Sequence, residues 1–108
     1  MPKYMLIESR DPFESNDVGF SYELASGLAK AGNEVTLFLV QNGVLPVRKG
    51  AKVDSLTSVI QAGVKVLADD FSLQERGIDK ARLVAGIEPA PIDVALDHLA
   101  AGHKTLWH

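Results

Sequence analysis

The stretch GLAKAGNEVTLFLVQNGV, residues 27–44, reads as a helix end, a turn, a strand and a second turn. Leu28 and Ala31 continue an apolar spacing begun by Phe20 and Leu24, and Gly32 supplies the left-handed residue on which helices commonly stop. Glu34 to Val40 (EVTLFLV) is β-branched and almost continuously apolar, the pattern of a central strand covered on both faces. Gln41-Asn42-Gly43 ends it with turn chemistry. On the N-terminal side, Ser15, Asn16 and Asp17 each offer an N-cap to the helix, and Lys3 to Ile7 (KYMLI) is a short buried strand closing on a loop that Pro12 helps define. Strand, helix and strand in this order make a right-handed βαβ unit with parallel strands.

The C-terminal half continues the alternation. Val44 to Val53 mixes apolar residues with Arg48, Lys49 and Lys52, and Pro46 with Gly50 predicts a surface loop. Asp54 or Ser55 can cap a helix with Leu56, Val59 and Ile60 on one face, stopping at Gly63. Residues 64–78, VKVLADDFSLQERGI, are a third strand that halts at two adjacent carboxylates, Asp69 and Asp70, and a one-turn helix. Asp79 can cap a further turn before a fourth strand expected over Leu83 to Ala85. Pro89 and Pro91 sit where a helix can start; Ile92, Leu96 and Leu99 form its apolar face, Gly102 its stop, and Lys104 to Trp107 a last strand. The expectation is one α/β domain over residues 1–108, with three layers, α/β/α, around a mainly parallel sheet of about five strands.

Composition narrows the function classes. With 46% hydrophobic and 23% charged residues and a net charge of −3, the chain has an ordinary globular balance and no basic footprint for nucleic acid or an anionic membrane. No apolar run approaches the roughly 20 residues that span a bilayer, and the N-terminus enters a strand pattern without a signal-peptide core, so the expected compartment is the cytoplasm. The chain has no cysteine, which removes disulfides, thiolate ligands and any cysteine nucleophile or persulfide carrier.

Parallel sheets collect ligands at the carboxyl ends of their strands, where loops and helix N-termini converge. That rule nominates Ser9, Arg10 and Asp11 after the first strand, Gln41, Asn42 and Gly43 after the second, and Asp69 with Asp70 after the third. The two aspartates admit a plain reading as turn and capping residues. Ser72-Leu73-Gln74-Glu75 has the form of a capping box, which would cap the short helix by itself and leave both aspartates for a ligand or partner. His98 and His103 are five apart and do not share a helix face, and His108 is the last residue, so no metal site or cofactor is expected. Neither the dinucleotide-binding glycine pattern nor a P-loop occurs between Ser9 and Gly19.

The order of LIESRDPFES, GLAKAGNEVTLFLVQNGV and GVKVLADDFSLQERGI resembles the DsrE/DsrF-like family of small sulfur-relay proteins, which includes TusD-type sulfurtransferase subunits. The resemblance covers nearly the whole chain and implies a compact three-layer α/β subunit assembled as a homotrimer, a hexamer or a hetero-oligomer with another sulfur-relay or DsrE-like protein. In sulfur-transferring members a cysteine just after the third strand accepts a persulfide sulfur. The matching position here is Asp69, or a neighbour, and a carboxylate stores no sulfane sulfur. The resemblance therefore implies a non-catalytic homo-oligomer or accessory subunit.

Two rivals come from other classes. A carboxylate enzyme would use Asp69 or Asp70 as general base, or join them with Asp11 around Mg²⁺. A small-ligand binding module would place its pocket between subunits, with Arg10 and Asn42 as polar anchors.

Overall fold

The computed structural model describes residues 2–108. Its elements are β1 (Lys3–Glu8), α1 (Asp17–Lys30), β2 (Glu34–Leu39), a 3-10 helix (Gln41–Val47), α2 (Asp54–Gln61), β3 (Lys65–Asp69), α3 (Asp70–Glu75), a second 3-10 turn (Lys80–Arg82), β4 (Ile87–Ala90), α4 (Asp93–Ala100) and β5 (Lys104–Trp107). The five strands form one sheet in the order β4-β3-β2-β1-β5, and every neighbouring pair is parallel. From β1 to β4 the winding steps in one direction, so right-handed crossovers stack α1, α2 and α3 on one face. The step from β4 to β5 reverses across the sheet, which sends α4 over the opposite face.

Strand alternation divides the core accordingly. Leu6, Leu37, Leu39, Val66 and Ala68 pack with Val18, Tyr22 and Ala25 of α1, Leu56 and Val59 of α2 and Leu73 of α3. Met5, Ile7, Phe38, Val40 and Leu67 form a smaller cluster in which Ala95 is the buried contribution of α4.

Several sequence expectations are corrected by this packing. The buried stripe of α1 is Val18, Ser21, Tyr22 and Ala25, whereas Phe20 is 74% exposed and Leu24 39%. A helix with apolar residues on more than one side offers two registers, and the sheet selects the one that the sequence spacing does not favour. The same holds for α4: Ala95 is buried, and Ile92, Leu96 and Leu99 are each about half exposed.

Val44 to Val53 is not simply a surface loop, because Val44, Pro46 and Val47 of the first 3-10 helix are buried against the α1 and α3 side. Leu83 to Ala85 does not enter the sheet. Leu83 bridges antiparallel to Arg48, and the Val84 N–H donates to the Val47 carbonyl at 2.9 Å. Gly86, at φ 94°, turns the chain so that the fourth strand starts at Ile87. Pro89 thus lies inside a strand and not at a helix start; β4 is an edge strand, where a missing N–H is tolerated.

Candidate functional site

The carboxyl ends of β1, β2 and β3 bring the nominated residues to one rim, and hydrogen bonds assign each a place. Asp69 is the N-cap of α3. Its Oδ2 accepts from the Ser72 N–H at 3.1 Å and from Ser72 Oγ at 2.7 Å, and the residue is buried. The expectation that Ser72 begins a capping box is therefore corrected: Ser72 sits one turn inside the helix and is the recipient of the cap. Ser72 Oγ also accepts the Gln41 N–H at 2.8 Å, which holds Gln41 at φ 51°, a left-handed conformation uncommon for a residue with a side chain.

Asp70 turns the other way. One of its carboxylate oxygens pairs with Lys80 Nζ at 3.1 Å near the surface. Asn42 Oδ1 accepts two N–H groups of Arg76, from Nε at 3.1 Å and Nη2 at 3.0 Å, and Arg76 Nη1 donates to the Ser72 carbonyl at 3.2 Å. Gln41, Asn42, Asp69, Ser72 and Arg76 thus form one connected network across β2, β3 and α3. Gly43 is buried beneath it, and a Cβ there would overlap the carbonyl oxygen of Glu8; the glycine is required by backbone approach.

Asp11 belongs to a different neighbourhood. Its Oδ1 accepts the Phe13 N–H at 2.9 Å and its carbonyl accepts from Glu14 and Ser15, so it shapes the loop after β1. Arg10 is exposed, and its backbone N–H donates to Glu8 Oε2 at 3.0 Å. Asp11, Asp69 and Asp70 are not gathered into one group: among the described residues no three His, Cys, Asp or Glu side chains are arranged to hold a metal ion.

Two pairs escaped sequence reasoning because neither lies on a shared helix face or within one element. Glu8, fully buried, accepts His108 Nδ1 on both oxygens, at 2.8 and 3.0 Å, across the β1–β5 pair. Alternation along two parallel neighbours was the signal available, since Leu6 pairs with Leu106 and both strands continue two residues to Glu8 and His108. His98 and His103 approach to 2.9 Å between Nδ1 atoms because the helix end folds back through Gly102. Burial, and after it the neighbouring His103, hold His98 below the ordinary imidazole value.

Chemically, Asp69 accepts two short bonds and is committed to the cap. With no thiol anywhere in the chain, the rim has no group that could carry a sulfane sulfur. No helix of the described residues is long and apolar enough to cross a membrane.

The comparisons agree with this architecture. The structure is similar to that of the YchN protein from E. coli, with a TM-score of 0.86 and 23% identity over the whole of both chains. It is also similar to the MTH1491 protein from Methanobacterium thermoautotrophicum, with a TM-score of 0.82 and 14% identity over 99% of this chain and 98% of that one. The BT1422 protein from Bacteroides thetaiotaomicron gives a TM-score of 0.76 and 18% identity over 98% and 94%. At these identities the likeness concerns the fold. No curated protein matches the sequence significantly. The model of the DsrE/DsrF-like family matches residues 2–107, and by that match the chain belongs to the DsrE/DsrF-like family.

Proposed function

We propose that this protein is an accessory DsrE-like subunit that assembles with copies of itself as a trimer or hexamer and binds a partner without carrying a persulfide. The observation that carries the reading is Asp69. It closes β3, at the strand end where sulfur-transferring relatives are expected to hold their cysteine, and its carboxylate is used as a helix cap. The rim around it keeps exposed groups for contact with another protein: Gln41, Asn42 and the adjacent Phe71. A cysteine-bearing sulfur-relay or DsrE-like protein is the partner this rim suits, because the partner would supply the thiol that this chain lacks.

Self-assembly is supported by α4. Its Ile92, Leu96 and Leu99 point away from the sheet, and an exposed apolar stripe of this kind is ordinarily covered in a larger assembly. Native mass spectrometry of the purified protein, alone and after incubation with a low-molecular-weight persulfide donor, tests both parts. The expected result is a trimer or hexamer that gains no sulfur atom. A monomer at micromolar concentration removes the assembly, and stable sulfur addition to the chain removes the accessory assignment.

A further inference from the structure

Phe20 and Leu24, the α1 residues turned away from the sheet, are not simply wet. With Leu6, Leu106 and Trp107 they wall a cavity of about 340 Å³ between α1 and β5. Topology explains it. The crossovers α1, α2 and α3 cover β1 to β4 on this face, and β5, added beyond β1, has no helix above it. The residues β5 directs to this face therefore border open space.

One of them is His108. Its ring is anchored by Glu8, whose buried carboxylate takes Nδ1 on both oxygens. Nδ1 is committed to this contact, so Nε2 is the ring nitrogen left to hydrogen-bond a ligand. The backbone is held as firmly: the His108 N–H donates to the Ile7 carbonyl at 2.8 Å, and its own carbonyl accepts from Ser9 N at 2.9 Å and Ser9 Oγ at 3.0 Å. His108 lines the cavity, and Nε2 has no hydrogen-bond partner among the described residues. On α1, Tyr22 Oη is buried without a hydrogen-bond partner among the described residues, and burial, then the charges of Glu8 and Asp11, push the phenol well above its ordinary range.

The space is an apolar groove open to solvent with one fixed polar group, His108, and its volume of about 340 Å³ falls within the roughly 300–1,000 Å³ that small-molecule sites span. The geometry points to a ligand site between α1 and β5 for a small molecule with a ring-sized apolar body and one hydroxyl head, which can both donate and accept, received by His108 Nε2. Asp17 at the rim disfavours a carboxylate head. This site is separate from the rim around Asp69 and does not depend on the assembly reading.

Trp107 is the only tryptophan in the chain and borders the groove beside Leu106, so its emission is one reporter of entry and the amide shifts of the groove residues are the other. The probe is 4-methylbenzyl alcohol, with 4-methylbenzoate as its anionic counterpart, followed by Trp107 emission and by amide shifts of Leu6, Ser21 and Leu106. Saturable binding of the alcohol is expected, with the benzoate about tenfold weaker or more, and His108→Leu weakening the alcohol by about tenfold while sparing p-xylene. Glu8→Gln, which keeps the shape and loses one of the two oxygens that orient the ring, is expected to weaken the alcohol in the same sense. Leu24→Trp fills the space from an exposed position and is expected to abolish binding without disturbing the fold. Three results overturn the site: no saturable response to the alcohol, equal affinity in Leu24→Trp, or Trp107 emission that changes with protein concentration before any probe is added. The last assigns the cavity to a contact between copies.

Discussion

At the scale of single residues, Gly43 and Asp69 are fixed by contacts that leave little latitude. Any Cβ at Gly43 meets the carbonyl of Glu8, which is itself bonded to the Val40 N–H at 3.0 Å, so neither backbone can retreat without breaking the β1–β2 end. Gly43→Ala is expected to cost about 2–4 kcal/mol, at or beyond the upper end of ordinary overpacking, read as a lowered denaturation midpoint in urea. Asp69→Ala removes the cap and leaves the Ser72 donors without their acceptor, an expected loss of about 1–2 kcal/mol. Asp70→Ala removes only a surface pair with Lys80 and is expected to stay within about 0.5 kcal/mol. Equal losses at the two positions would contradict the division of roles between these adjacent aspartates.

At the scale of elements, the end of α4 carries a pH dependence. Burial lowers the His98 pKa, and His103 lowers it further; Glu34 opposes this weakly, while Lys3 and Lys65 add to it. With the folded value below the unfolded one, the unfolded chain takes up the proton first as pH falls. The contribution of His98 is then level above the ordinary imidazole value of about 6.5 and becomes destabilising as pH drops through it towards the folded value. Thermal unfolding followed from about pH 8 down to about pH 5 is expected to show a falling midpoint, with a shallower fall in His98→Gln. An unchanged slope in that variant would place the dependence elsewhere. The two helices with outward apolar residues also differ in what they leave behind: α1 borders an open groove beside β5, whereas α4 offers an exposed stripe.

At the scale of the whole molecule, that stripe is the surface through which the proposed assembly is expected to form. An edge strand with Pro89 cannot continue the ladder through every residue, so β4 is poorly suited to joining sheets between copies. Helix packing through α4 is the better route. Leu96→Glu with Leu99→Glu is expected to convert the assembly to monomer in sedimentation velocity while leaving the unfolding midpoint of the monomer nearly unchanged, since neither side chain is in the core. An assembly that survives both charges would have to use another surface.

The sequence by itself determined the α/β alternation, the parallel sheet and the position of the rim, because strand and helix periodicities and glycine stops are local properties that survive tertiary context. Only the tertiary structure decided which stripe of α1 and α4 faces the sheet, since both helices carry apolar residues on more than one side and the choice is made by what the strands can accommodate. Only the fold could bring Glu8 to His108, a hundred residues apart, and it did so because β5 is laid beside β1 in parallel register. Capping was legible for the Asp69-Asp70 pair, but which of the two caps was not: the partner, the Ser72 N–H, is defined by where α3 begins, and that boundary is set by the end of β3 in the sheet.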